Sequence, residues 1–73
     1  MKIISAQAIY AHSDNDTPGS MTLHGTVDDI KAEAREFVEA GFRNQTWMTV
    51  DFGDGMYRVD NKHGKAHGST VKY

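Results

Sequence analysis

Cysteine is absent from all 73 residues, which removes disulfides, thiol nucleophiles and thiolate-bound metals together. Neither sign of charge dominates. Eight Lys and Arg against ten Asp and Glu leave a net charge of −2 and a pI near 6.0, below the basic range of a dedicated nucleic-acid binder. No apolar run approaches the roughly 20 residues of a membrane-spanning helix. The opening MKIISAQAIYA is interrupted by Ser5 and Gln7, so it lacks the unbroken apolar stretch of a signal peptide. A cytoplasmic location without membrane attachment is the expectation. The length allows one domain, near the size at which a single core is only just sufficient.

Catalytic constellations are also missing. Ser5, Ser13, Ser20 and Ser69 have no elbow-like glycine context, and no nucleophile, base and orienting acid can be grouped. Asp14 and Asp16, followed by Pro18-Gly19, open like a calcium loop, but Gly25 stands where the bidentate glutamate is required. Asp51-Phe52-Gly53 spells the kinase magnesium motif without the other kinase parts. Asn44-Gln45-Thr46 matches a glycosylation acceptor in a chain with no secretory signal. His63 and His67 are four apart, yet Gly64 argues against the helix that would align them. His12 and His24 are placed to face each other across a first hairpin. A zinc site needs three or four convergent ligands, so the expectation is no metal, no cofactor and no enzymatic activity.

What is present is one strongly marked helix. In the stretch TVDDIKAEAREFVEAGF, residues 26–42, Val27, Ile30, Ala34, Phe37 and Val38 recur at three- and four-residue spacing and line one face. Thr26 is a capping residue, and Asp28 and Asp29 sit where the helix dipole favours negative charge. Gly41 is expected to take the left-handed cap conformation, with Phe42 folding back onto Phe37 or Val38.

Around it the chain reads as strands. Residues 2–12 place Ile4, Ala6, Ala8 and Tyr10 on one face, with Ile3 and Ile9 on the other. The small alanines leave room for the helix to lie across them. Residues 13–20, SDNDTPGS, form a loop, and residues 21–25 form a second strand with Met21 and Leu23 inward. After the helix, Thr46–Phe52 and Met56–Asn61 form a hairpin through Gly53-Asp54-Gly55. Asp54-Gly55 as a type I′ turn sets Phe52 against Tyr57, Val50 against Val59 and Asp51 against Arg58. Trp47 then opposes Lys62 in a cation–π contact. Residues 62–73 read as either an edge strand or a loose tail. The architecture is α+β: an antiparallel sheet of four to five strands in β-β-α-β-β order, with one helix packed on one face.

Three surfaces are candidates for binding. The solvent side of the helix carries an acidic row, Asp29, Glu33 and Glu36, suited to a basic surface on a partner. The uncovered sheet face carries Trp47 and Arg58 with Thr49, Ile3 and Ile9, suited to a protein partner or a second copy of the chain. The third is basic. Residues 1–40 hold seven acids and three bases, whereas residues 41–73 hold three acids and five bases. Arg58, Lys62, Lys65 and Tyr73 in that second part compose the alternative, a nucleic-acid footprint.

In its small size, short ββαβ-type layout, acidic helix and lack of cysteine or catalytic motif, the chain resembles the small accessory proteins with which bacteriophages bind and disable host proteins. Anti-CRISPR and silencer-binding phage proteins are similar in layout. The segment AEAREFVEAGF, residues 32–42, is similar to the helix end of small phage inhibitors of bacterial RNA polymerase in its Val38–Ala40-Gly41-Phe42 pattern. The likeness is one of layout and carries over no functional residue. It implies a non-enzymatic module that inhibits a host protein by covering its surface, in the cytoplasm of a bacterial host.

Overall fold

The computed structural model describes residues 2–12, 17–41, 46–62 and 65–72, the side chains of Lys62 and Lys65 excepted. Strands β1 (Ile4–Ala11) and β2 (Gly19–Gly25) precede helix α1 (Val27–Ala40), and β3 (Trp47–Asp51), β4 (Gly55–Lys62) and β5 (Lys65–Lys72) follow it. All five strands form one antiparallel sheet in the order β2-β1-β3-β4-β5. The chain from β2 through α1 to β3 therefore passes over β1, which lies between them, and β3-β4-β5 is a simple meander. The α+β architecture expected from the sequence is the one observed, and the C-terminal segment forms a full edge strand. No described helix is long and apolar enough to cross a membrane.

Alternation places the core. Ala6 and Ala8 on β1, Leu23 on β2, Met48 and Val50 on β3, and Tyr57 and Val59 on β4 are buried beneath Ile30, Ala34 and Val38 of α1. The two alanines at the middle of the sheet let the helix approach closely, so the helix and the flanking strands supply the bulk. An aromatic side chain covers a glycine on each edge strand. One row across the sheet reads Gly19, Tyr10, Met48, Val59, Gly68. A Cβ at Gly19 would meet the Tyr10 ring at 2.8 Å, and one at Gly68 would run into the Tyr57 ring. Each edge glycine thus lets a tyrosine from the neighbouring strand roll outward over it, the arrangement known as aromatic rescue.

The helix begins as its sequence requires. Thr26 Oγ1 accepts from the Asp29 amide at 3.1 Å, and Asp29 Oδ2 accepts from the Thr26 amide at 3.1 Å, a reciprocal capping box. Thr26→Ala removes the acceptor for one orphan amide, and is expected to lower unfolding free energy by about 1 kcal/mol in urea titrations, with no change in m-value. Val27, expected on the buried face, is the first helical residue and is 42% exposed.

Three sequence expectations are corrected. Gly41 is not left-handed: its φ of −64° and ψ of 132° are extended. Glycine is needed there because a Cβ would collide with the side chain of the fully buried Thr46. The β3–β4 register is displaced by two residues. Val50 pairs with Tyr57, Met48 with Val59, Thr49 with Arg58 and Asp51 with Met56. The loop residues are Gly53-Asp54, closed by the Phe52 amide donating to the Gly55 carbonyl at 2.8 Å. Gly53 adopts φ +91°, and its amide donates to Asp51 Oδ1 at 2.8 Å, which fixes the turn one residue earlier. A two-residue slip keeps every side chain on its face, so apolar patterning cannot separate the registers. Trp47 consequently faces Asp60 rather than Lys62. Lastly, His24 pairs with Ser5 and not with His12, which sits at the other end of the hairpin.

Candidate interaction surface

The helix covers one side of the sheet, and nothing in the chain's described residues covers the other. Strand pairing sets out that open face in rows. One reads Ser20, Ile9, Thr49, Arg58, Ser69, the next Ala11, Trp47, Asp60, His67, and a third Thr22, Gln7, Asp51, Met56, Val71. Trp47 and Arg58 are thus diagonal neighbours on adjacent central strands. The Arg58 guanidinium lies over the indole, 4.9 Å from the ring centroid, and Nη1 donates to Thr49 Oγ1 at 3.3 Å. The contact combines cation–π attraction with a hydrogen bond that helps to hold the guanidinium over the ring. The sequence expected a cation on Trp47 but named the wrong residue.

Apolar surface flanks this pair. Ile9 is 48% exposed and Val71 is 52% exposed, with half-buried Met56 between Asp51 and Val71. Ile3, just before β1, is 68% exposed. The far side toward β2 is polar, where Gln7 Nε2 donates to Thr22 Oγ1 at 3.0 Å and Ser5 Oγ lies 2.8 Å from His24 Nδ1. The Ser5–His24 pair was not foreseen. It is an exposed cross-strand contact between paired positions of β1 and β2.

Asp29, Glu33 and Glu36 are exposed on α1, as expected. They face away from the sheet, so the acidic row and the Trp47–Arg58 pair lie on opposite sides of the molecule and cannot belong to one site. Asp29 also spends its carboxylate on the capping box. Of the basic set, Lys62 lies four residues beyond Arg58 on β4 and opposite Lys65 in the backbone ladder, so the three positions fall on one side of the β4–β5 pair. Tyr73, His63, Phe42, Asn44 and Gln45, and the Asp14–Asp16 segment lie outside the described residues.

His12 stacks on Phe37 with centroids 5.9 Å apart, its Nδ1 3.4 Å from Thr46 Oγ1, and His67 stands opposite Asp60 at the exposed edge. Among the described residues, no three of His, Asp and Glu are grouped as a metal site would require. Asn61 is the structural residue the sequence concealed. Only 5% exposed, it donates from Nδ2 to the Val38 carbonyl at 3.1 Å and ties the end of α1 to β4.

No protein-family model, curated protein or solved structure matches this chain. The surface is therefore read from its own chemistry.

Proposed function

We propose that the chain is a non-enzymatic protein-binding module that covers a surface of another protein with the open face of its sheet. The observation that carries this reading is the Arg58 guanidinium lying over Trp47, 4.9 Å from the ring centroid, in the middle of a face that no described layer covers. Tryptophan and arginine are the residues most enriched at interface hot spots, where a preorganised pair loses little side-chain entropy on binding. Flanking Ile9, Met56 and Val71 supply apolar contact, and the serines, threonines and Gln7 supply a polar rim. A flat face with such a centre suits a protein surface better than a small molecule, which needs concavity. The likeness in layout to phage accessory proteins makes the partner a host protein and the outcome its inhibition by occlusion. Acting on a partner's surface in this way asks for no catalytic group.

The test is an affinity capture from bacterial lysate with and without nuclease, followed by titration of the recovered partner. Trp47 is the single tryptophan, so its fluorescence reports the interface directly. Expected is a nuclease-resistant protein partner whose affinity falls at least about tenfold in Trp47→Ala and in Arg58→Ala, with circular dichroism unchanged. Glu33→Gln with Glu36→Gln should leave affinity as it was. Loss of every partner on nuclease treatment would instead point to nucleic acid. Dependence on the glutamates alone would move the interface to the helix.

A further inference from the structure

We propose that the groove between α1 and β5 accepts an extended acidic segment of another protein, which adds to the sheet as a sixth strand. This surface is separate from the open face, and either assignment can fail without the other.

Strand β5 is the last in the sheet, with β4 on one side and, among the described residues, no strand on the other. Its pairing with β4 runs without a bulge from Gly55 opposite Lys72 to Lys62 opposite Lys65, and the strand contains no proline and no acid. The second side of its backbone is therefore a regular series of donors and acceptors, which is the template for strand addition. Beside it lies a cleft of about 240 Å³, lined by Val27 and Lys31 of α1, Phe52 and Asp54 of the β3–β4 turn, and Thr70 and Lys72 of β5. Thr70 and Lys72 share the helix side of β5 with Gly68, so a strand added there would turn alternate side chains into this cleft.

The charges select the occupant. Lys31 and Lys72 line the cleft, and Lys31 Nζ stands 5.3 Å from the Tyr57 ring centroid. One helical turn beyond, Arg35 Nη1 donates to the Tyr57 hydroxyl at 3.3 Å. Tyr57 pairs with Thr70 across the β4–β5 ladder, so these three cations border the same stretch of β5. Asp54 is the one acid in the lining, against Lys31 and Lys72. A lysine that merely guards an edge belongs to the strand itself. Lys72 is such a strand lysine, whereas Lys31 and Arg35 come from the helix and flank the groove. The opposite edge, β2, has the sequence GSMTLHG with no Lys or Arg, so an acidic segment distinguishes the two edges.

Other occupants fit less well. Full-length antiparallel pairing of β5 with itself would set Lys65 of one copy against Lys72 of the other at both ends, an unfavourable like-charge arrangement. A nucleic-acid backbone offers phosphate acceptors but no donors at strand spacing, and would leave the outward carbonyls of β5 unmet. A peptide supplies both.

The experiment uses a fluorescein-labelled peptide of alternating valine and glutamate, about eight residues long to match a typical strand, titrated by anisotropy at low salt. Comparison probes are an alternating valine–lysine peptide, two acidic peptides N-methylated at alternate amides in the two phases, and an oligouridylate of similar length. Expected is saturable binding of the acidic peptide, at least about tenfold weaker for the valine–lysine peptide, for one N-methylated phase and for the Lys31→Gln, Lys72→Gln double variant. Amide shift changes in NMR spectra should run along residues 65–72 and leave β2 unchanged. No binding at millimolar peptide, equal binding of both N-methylated peptides, shift changes at β2, or equal competition by the oligouridylate would overturn the assignment.

Discussion

Ile30→Ala is expected to remove most of the stability of this domain. Ile30 is fully buried on α1 and is among the largest side chains to be so, with Met48, Val38, Val50 and Val59. The sheet beneath contributes Ala6 and Ala8, and the helix itself contributes Ala34. The surrounding side chains can relax only in part into the cavity that alanine would leave. Such truncations cost about 2–5 kcal/mol. A domain of this length without a disulfide rarely has more than about 3–5 kcal/mol to lose. The variant should be largely unfolded at 37 °C, or show a urea midpoint near zero by far-UV circular dichroism. Ile9→Ala on the open face is the control, and should change stability by no more than about 0.5 kcal/mol. A loss below about 1 kcal/mol for Ile30→Ala would mean that α1 is not the lid of the core.

Which features the sequence disclosed follows from the range of the interactions that produce them. The helix is local: three- and four-residue spacing, Thr26 and two aspartates in the first turn suffice, and α1 begins one residue after Thr26. Faces are also local, because alternation alone assigns Ala6 and Ala8 inward and Ile9 outward. Strand order is not local. It depends on β1 pairing with both β2 and β3, and no residue of β1 advertises two neighbours. The β3–β4 register failed for a subtler reason, since both candidate turns contain an Asp and a Gly and both preserve the faces. That slip propagated into the candidate site. With the displaced register Trp47 meets Lys62; with the observed one it meets Asp60 across the ladder and Arg58 diagonally. The face and the aromatic anchor were legible, whereas the identity of the cation was not. The groove beside β5 was hidden more deeply. It joins Lys31 and Arg35 to Thr70 and Lys72, residues about forty positions apart whose proximity only the tertiary fold creates.

Gly41→Ala is the second change expected to have a large effect, and it separates two explanations of the same glycine. Were Gly41 a left-handed cap, alanine would suffer from positive φ. Its observed φ of −64° and ψ of 132° are comfortable for any residue, so the backbone imposes no penalty. Packing does. The Gly41 amide donates to the Val38 carbonyl at 3.2 Å, and Asn61 Nδ2 donates to the same oxygen at 3.1 Å. Thr46 is fully buried beside them, its carbonyl accepting from the Asn61 amide at 2.9 Å. An added Cβ would sit 2.7 Å from Thr46 Cβ and 2.8 Å from its Cγ2. Because the first of these atoms is attached to the main chain, relief requires backbone movement at the point where α1 is tied to β4. Overpacking of this kind costs about 1–3 kcal/mol. In a Thr46→Ala background the hydroxyl and Cγ2 are gone while Cβ remains, so the cost of Gly41→Ala should shrink without vanishing. Denaturant titrations of the two single variants and the double variant measure that coupling. Additive effects would show that Thr46 is not what requires glycine at this position. A coupling of at least about 0.5 kcal/mol, in the direction of relief, is the expected result.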